Sequence, residues 1–430
     1  MQRFMTQRLY YSDSFLQHFS SLVTDIRELS RTDGQSVWQI ALKQTAFYPT
    51  SGGQPHDLGV LRATSRSGAV LEVPVVGVEE DEQGEVWHQT LKPLTAGTEV
   101  RGKIEWSRRL DHMQQHSGQH LLSAIFMREL NAPTVSFHLG ETSSTIDLAV
   151  DTVAHHSLER VERIVNELIA EDRAVTVRNV DRGEADELLS AGELRKLPER
   201  TGTIRLIEIA NCDLNACGGT HVRATGQIGG LLIRSMERVR QGVRVEFVCG
   251  LRAVAAARQD FSTLTQSASM LSTPRAEVPA GIERLQADAK SGAKELRKLR
   301  EELATYHAIR LAVEEQIVNH LRLVRRVFAD RDADYVKLVA SRLVASVPQT
   351  VALMVSTHQE PALVVLARSG DLEFHAGNMM KEALASMGLR GGGSADLAQG
   401  QVAQSKVADL LDTLSAAAEQ ARAQALNGSA

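Results

Sequence analysis

Two residue pairs, each with members four apart, constrain this chain more than any other feature of it. His116 and His120 stand in the run RLDHMQQHSGQHLLSAIF, and Cys217 and His221 close the run NCDLNACGGTH, which begins roughly ninety residues further on. The first run lies within helical signals from Ser107 to Leu130, and side chains at i and i+4 of a helix share one face, about 6 Å apart. The second pair encloses Gly218 and Gly219, which disfavour a helix and suit a turn that wraps around an ion. A fold must therefore bring one helix and one turn together. The combined set offers three imidazole nitrogens and one thiolate, donors that suit zinc because this borderline-soft ion takes both kinds. The expectation is one Zn2+ per chain, bound by His116, His120, Cys217 and His221. His112 stands one turn before His116 on nearly the same face and is read as a packing or outer partner. Ser117 occupies the place that glutamate holds in HExxH, so a protease-type general base is missing there.

At 430 residues, 43% hydrophobic and 23% charged, with a formal charge of -5, the chain has the length of about three domains and a composition that excludes wholesale disorder. Aromatics at 4% leave the cores to Leu, Val, Ile and Ala and exclude extensive base-stacking platforms. Cys212, Cys217 and Cys249 give an odd count and no disulfide framework, which suits a reducing cytoplasm. The start, MQRFMTQRLYYSDSFLQHF, lacks the apolar core of a secretion signal, and no stretch holds 18 uninterrupted apolar residues. Neither export nor a membrane span is expected. Local basic clusters at Arg101, Lys103, Arg108 and Arg109, and at Arg234, Arg238, Arg240 and Arg244, suit either phosphate contact or solvated faces.

The predicted fold class is α+β in four parts. Residues 1–95 read as a glycine-rich, small β-barrel-like domain, with short runs such as Val37 to Leu42 and Val70 to Val76 broken by glycine turns. Residues 96–250 read as an α+β zinc-binding domain, with helices at Ser107 to Leu130 and His155 to Glu171, then strands at Val175 to Val180, Thr203 to Ile209, Leu231 to Met236 and Val243 to Val248. Residues 251–330 read as a helical coiled-coil linker. Its heptad seam runs Ile282, Leu285, Ala289, Leu296, Leu299, Leu303, Tyr306, and fits a helical hairpin, a projecting arm or a dimer zipper alike. Residues 331–430 read as an α/β domain: a helix, strands Val351 to Ser356 and Ala362 to Ala367, a helix near Met379 to Met387, a loop at Gly391 to Gly393, and a last helix from about Val402 to Leu426 with a core stripe of Val407, Leu410, Leu411 and Leu414.

Three segments, Thr45 to Gly59 (TAFYPTSGGQPHDLG), His116 to His120 (HSGQH) and Cys217 to His221 (CGGTH), resemble the signatures of the alanyl-tRNA synthetase editing domain, in that order and at about that spacing. The stretch Arg390 to Gly400 (RGGGSADLAQG) is similar to the C-terminal domain of those synthetases, with Ser394 where a basic residue is usual and Gln401 where a second glycine is common. With both parts and no adenylate-forming core, the chain resembles the long form of the free-standing alanyl-tRNA editing proteins, AlaX. The resemblance implies a cytoplasmic, zinc-dependent aminoacyl-tRNA hydrolase that cleaves the ester of mischarged alanine tRNA, with serine the chief wrong amino acid and glycine a second. An alanine pocket rejects neither one strongly. It further implies site roles for Thr45, whose hydroxyl would read that of serine, and for Gln54 and Asp57 in the glycine-rich loop. Alanine tRNA is the expected partner, with a homodimer through the C-terminal region and no activation of amino acids with ATP. A zinc-stabilised tRNA-binding protein without hydrolytic activity uses the same ligands and stands as the alternative.

Overall fold

The computed structural model describes residues 5–32, 35–65, 68–194, 197, 202–240 and 242–428. The chain divides into two compact units, Met1–Gln266 and Ser267–Ala430.

In the first unit six strands close a barrel. They are β1 (His18–Thr32), β2 (Gln35–Leu42), β3 (Gly59–Thr64), β4 (Val70–Glu80), β5 (Val86–Thr90) and β6 (Glu99–Ile104), in the order β1-β2-β5-β4-β3-β6. Alternation decides which side chains fill it: Val100 and Ile104 on β6 and Leu61 and Ala63 on β3 point inward and are buried, while their neighbours face out. Closure removes free strand edges, so the barrel carries glycine-rich loops without exposing an unpaired ladder.

The chain leaves the barrel directly into helix α1 (Trp106–Leu130), which ends at Asn131 in the left-handed conformation. Every residue from His112 to Phe126 is buried. Against it pack α2 (His155–Ala170) and a four-stranded antiparallel sheet of β7 (Thr134–Leu139), β8 (Ser144–Leu148), β12 (Leu231–Val239) and β13 (Gly242–Cys249), in the order β12-β13-β8-β7. The apolar face of α2, Leu158, Val161, Val165, Leu168 and Ile169, supplies this core together with Leu121, Leu122, Ile125 and Phe126 of α1. A three-stranded sheet, β9 (Val175–Val180), β10 (Ile204–Ile209) and β11 (Asp213–Ala216), leads into the cysteine turn, and α3 (Arg182–Ser190) lies between its first two strands in sequence. The mixed α+β class and the barrel agree with the sequence. β7, β8, β11 and α3 are additions to it.

The second unit is built on a five-stranded sheet of β14 (Arg322–Phe328), β15 (Thr350–Ser356), β16 (Ala362–Arg368), β17 (Gly391–Gly393) and β18 (Leu397–Val402), in the order β14-β15-β16-β18-β17. Helices α6 (Ala333–Ser346), α7 (Ala376–Ala385) and α8 (Val407–Gly428) cover it. As expected, Val407, Leu410, Leu411 and Leu414 are core. Three readings are corrected. The glycine run is an edge strand rather than a loop, with Gly391 opposite Gly400, and a Cβ on Gly391 would sit 2.2 Å from Leu384 Cδ1, so close approach demands the glycine. Residues 322–328, assigned to the helical linker, form β14. The last helix begins at Val407, not near Val402.

Before that sheet, α4 (Gly250–Met270) and α5 (Val278–Glu314) bear out the helical reading of the linker. Ile282, Leu285, Leu296, Leu299, Leu303 and Tyr306 are all exposed, and the packed positions of α5 are instead Ala304, Ala308, Leu311 and Ala312, which join the core of α6. Among the described residues no helix is long and apolar enough to cross a membrane.

Candidate metal centre

The first unit brings the two four-residue spacings together. One donor atom from each of His116, His120, Cys217 and His221 lies within 4.8 Å of the others, so the group could hold one metal ion. Cys217 Sγ is 3.5 Å from His116 Nε2 and 3.4 Å from His221 Nε2, and the rings of His116 and His221 are 4.5 Å apart. His112 is buried but stays outside the group. Neither Gly218 nor Gly219 has a positive φ. The reason for glycine at 219 is room, since a Cβ there would lie 2.1 Å from His116 Cε1.

Outer contacts fix which nitrogen each ring offers. Gln54 Oε1 is 2.9 Å from His116 Nδ1 and also accepts from Thr220 N–H, while Gln54 Nε2 donates to Thr220 Oγ1. Gln54 is fully buried, and its two bonds at Thr220 hold the amide oxygen as an acceptor toward His116. The ring proton therefore sits on Nδ1, leaving the Nε2 lone pair toward Cys217. His221 Nδ1 lies 3.1 Å from Ser117 Oγ, a hydroxyl that also accepts from Val222 N–H and can meet either tautomer. His120 Nδ1 faces Asp213 Oδ2 at 3.6 Å.

The protonation equilibria follow from burial and crowding. Burial alone would push the Cys217 thiol up, yet His116 and His221 beside it hold it well below the ordinary thiol range, toward the thiolate that binds metals. Burial, with His116 crowded against it, lowers His221 to about 3, which keeps it neutral. For His120 burial opposes the charge, but bonds to Asp213 and Cys217 outweigh it and raise the ring to about 9. A metal ion at this point competes with that proton.

A cleft of about 540 Å³ opens beside the group. It is lined by His116, His120 and Cys217, by Gln119, Ser123, Thr134 and Phe137, and by Tyr10, Tyr48 and Arg205 on its other walls. Among the three loop residues singled out in the sequence, Thr45, Gln54 and Asp57 are each fully buried and none lines this cleft. Gln54 reaches the group through His116 and Thr220. Asp57 binds Arg109, with Nε at 3.0 and 3.1 Å from its two oxygens and a further close contact to Nη2, and accepts from Tyr48 N–H at 2.6 Å. Thr45 Oγ1 accepts from Phe47 N–H at 3.1 Å and lies 2.8 Å from His88 Nε2. His88 Nδ1 meets Ile40 O at 3.0 Å, so its proton is there and Thr45 donates to Nε2. Burial holds His88 at about 4, which keeps it neutral. The sequence reading assigned these partner roles to none of Arg109, His88, Ser117 and Asp213. For Arg109 and Ser117 the available signal was a helix dense in polar residues that nonetheless has to be buried.

Gln54→Leu removes the acceptor that orients His116 while leaving all four donors. Its zinc affinity should fall roughly 10- to 100-fold, measured by competition with a chromogenic chelator. Unchanged affinity would separate Gln54 from the centre.

Comparison with known proteins places this geometry. Residues 204–245, which include Cys217 and His221, match the family model described as the threonyl and alanyl tRNA synthetase second additional domain, and residues 322–420 match the DHHA1 domain. The alanine-tRNA ligase of Pyrococcus abyssi is 32% identical over 413 residues, 92% of this chain and 42% of that protein. The alanine-tRNA ligase of Halobacterium salinarum is 31% identical over 420 residues, 96% of this chain and 44% of that protein. The chain thus spans less than half the length of these curated relatives. Among solved structures, the C-Ala domain of Aquifex aeolicus alanyl-tRNA synthetase aligns with 23% of this chain and 96% of its own, at 22% identity and a TM-score of 0.21.

Proposed function

We propose that this chain, which belongs to the alanyl-tRNA synthetase-related family of tRNA_SAD and DHHA1 proteins that includes the AlaX type, is a trans-editing hydrolase of mischarged alanine tRNA. Its substrate is the ester of serine, with glycine second, on the terminal ribose. The observation that carries this reading is the convergence of three imidazoles and a thiolate beside an open cleft in the part of the chain related to the synthetases. This donor set fits zinc by hardness and by number.

In this reading His116, His120, Cys217 and His221 hold Zn2+. Zinc supplies Lewis acidity toward an ester carbonyl and lowers the pKa of a bound water. The chain's own part is positional. Gln54 fixes the tautomer of His116, Ser117 orients the ring of His221, and Asp57 ties the glycine-rich loop to α1 through Arg109. Four protein donors would by themselves satisfy a zinc ion, so the group as built is also compatible with a closed, structural site. A four-part division stays in the proposal, with the barrel extended through β6 and the last part begun at β14 rather than after residues 95 and 330, as do a cytoplasmic location and a homodimer through the C-terminal part.

Incubation with serine-, glycine- and alanine-charged alanine tRNA tests the reading. Ester loss should be fastest for serine and should stop when zinc is chelated. Tight tRNA binding with no ester loss in the zinc-loaded protein would favour the alternative, a zinc-stabilised tRNA-binding protein.

Thr45, fully buried and outside the cleft lining in this structure, is the proposed reader of the serine hydroxyl, which requires substrate to reach past that lining. Its own proton goes to His88 and one acceptor position is taken by Phe47 N–H, so a serine hydroxyl would donate to the position that is left. Thr45→Val keeps the shape and removes this acceptor, and the serine rate should fall roughly 5- to 150-fold relative to alanine. A lowered melting temperature with the parent's serine-to-alanine ratio would make Thr45 purely structural.

A further inference from the structure

Four side chains that line the cleft carry a buried polar atom without a hydrogen-bond partner: Tyr10 Oη, Gln119 Oε1, His120 Nδ1 and Arg205 Nη2. They differ in kind. Arg205 Nη2 is a donor only, His120 Nδ1 carries the ring proton toward Asp213, and Tyr10 Oη both donates and accepts. Gln119 alone offers an unmatched group that only accepts. An acceptor left unpaired in burial costs free energy in the resting protein, and that cost is recovered when a ligand brings a donor.

Gln119 is 6% exposed and sits on α1 between the two ligands, three residues after His116 and one before His120. Its amide is fixed from the other side: Nε2 donates to Ser123 Oγ at 2.9 Å, and Thr134 Oγ1 donates to the same oxygen at 2.7 Å. All three residues line the cleft. The Gln119–Ser123–Thr134 chain thus holds one amide oxygen in place, with no partner among the described residues.

We infer that Gln119 Oε1 receives the α-ammonium group of the aminoacyl ester. This rests on the hydrolase reading, which fixes the ligand class. An ammonium has donors and no acceptor, and it lies one carbon from the ester carbonyl. Of the anionic groups that line the cleft, the Cys217 sulfur faces His116 and His221 within the donor group, and the carboxylate of Glu80 is already paired with Arg8. Gln119 Oε1 supplies the missing complement. It therefore selects for an aminoacyl ester over an ester without a free amine, a distinction separate from the choice between serine and alanine.

The test uses the zinc-loaded full chain and two probes in which a stable amide replaces the ester between serine and 3′-amino-3′-deoxyadenosine, one with a free amine and one N-acetylated. The parent should bind the free-amine probe roughly 10- to 100-fold more tightly. Gln119→Leu should lose that preference by weakening the free-amine probe alone, and Gln119→Glu should keep it. A parent without the preference, or a Gln119→Leu chain that weakens both probes equally, overturns the inference. Zinc content and melting temperature of each variant separate a collapsed site from a lost contact. Because binding is read without hydrolysis, absence of ester loss from seryl-tRNA counts against the enzymatic reading, while the amine preference is judged on the probes.

Discussion

Cys217→Ala should leave the protein with under about one tenth of its zinc and cut hydrolysis of seryl-tRNA by more than the roughly 10- to 100-fold that loss of an outer partner costs. Cys217 is the only thiolate among the four donors, and the two imidazoles beside it hold it in the anionic form that a metal needs. What remains is three imidazoles around an enlarged space. Elemental analysis of the purified variant checks the first part, and single-turnover ester loss the second. A folded Cys217→Ala chain with full zinc would move the ion out of this cluster altogether.

Asp57→Ala is the largest expected loss of stability, about 3 to 5 kcal/mol. Asp57 and Arg109 are both fully buried, and among the described residues the guanidinium has its carboxylate charge from Asp57, with Ser14 O and Ala46 O as its neutral partners. Removing the carboxylate leaves a positive charge in the core and an unpaired Tyr48 N–H. For a unit of this size the melting temperature should fall by roughly 6 to 20 °C. Pairing the change with Arg109→Met should recover much of it, because the stranded charge goes too. A double variant as unstable as Asp57→Ala would mean that loop packing, and not charge, sets the cost.

The sequence made the ligands legible because the chemistry of binding one ion restricts spacing, and spacing is local. Helix α2 was legible for a related reason, that its apolar residues recur at helical intervals. What a ligand is held by was not legible. Gln54 looks like any loop amide until a barrel brings it against His116, 62 positions away. Arg109 looked like one of four basic residues near the end of the barrel, and arginine is so rarely buried that composition pointed outward. The heptad pattern of α5 shows the limit from the other side. A periodic apolar stripe is the same string of letters whether or not another helix covers it, and here the covered face is the alanine face. The glycine strand at 391–393 lacks side chains to alternate, so its pairing leaves no pattern to read.

The bonds of the metal centre join positions 62, 101 and 166 residues apart. By loop-closure entropy, a contact across 166 residues costs only about 0.9 kcal/mol more than one across 62. Chain distance therefore matters little to the finished protein, but it does order the folding reaction. Gln54 must be in the barrel, α1 must be formed and the turn after β11 must have docked before the four donors converge, so the centre closes late. During synthesis the last donor, His221, emerges before any residue of Ser267–Ala430, and none of those contributes to the set. Uptake of an ion by this group would thus need the first unit alone, and would not have to wait for translation of the second.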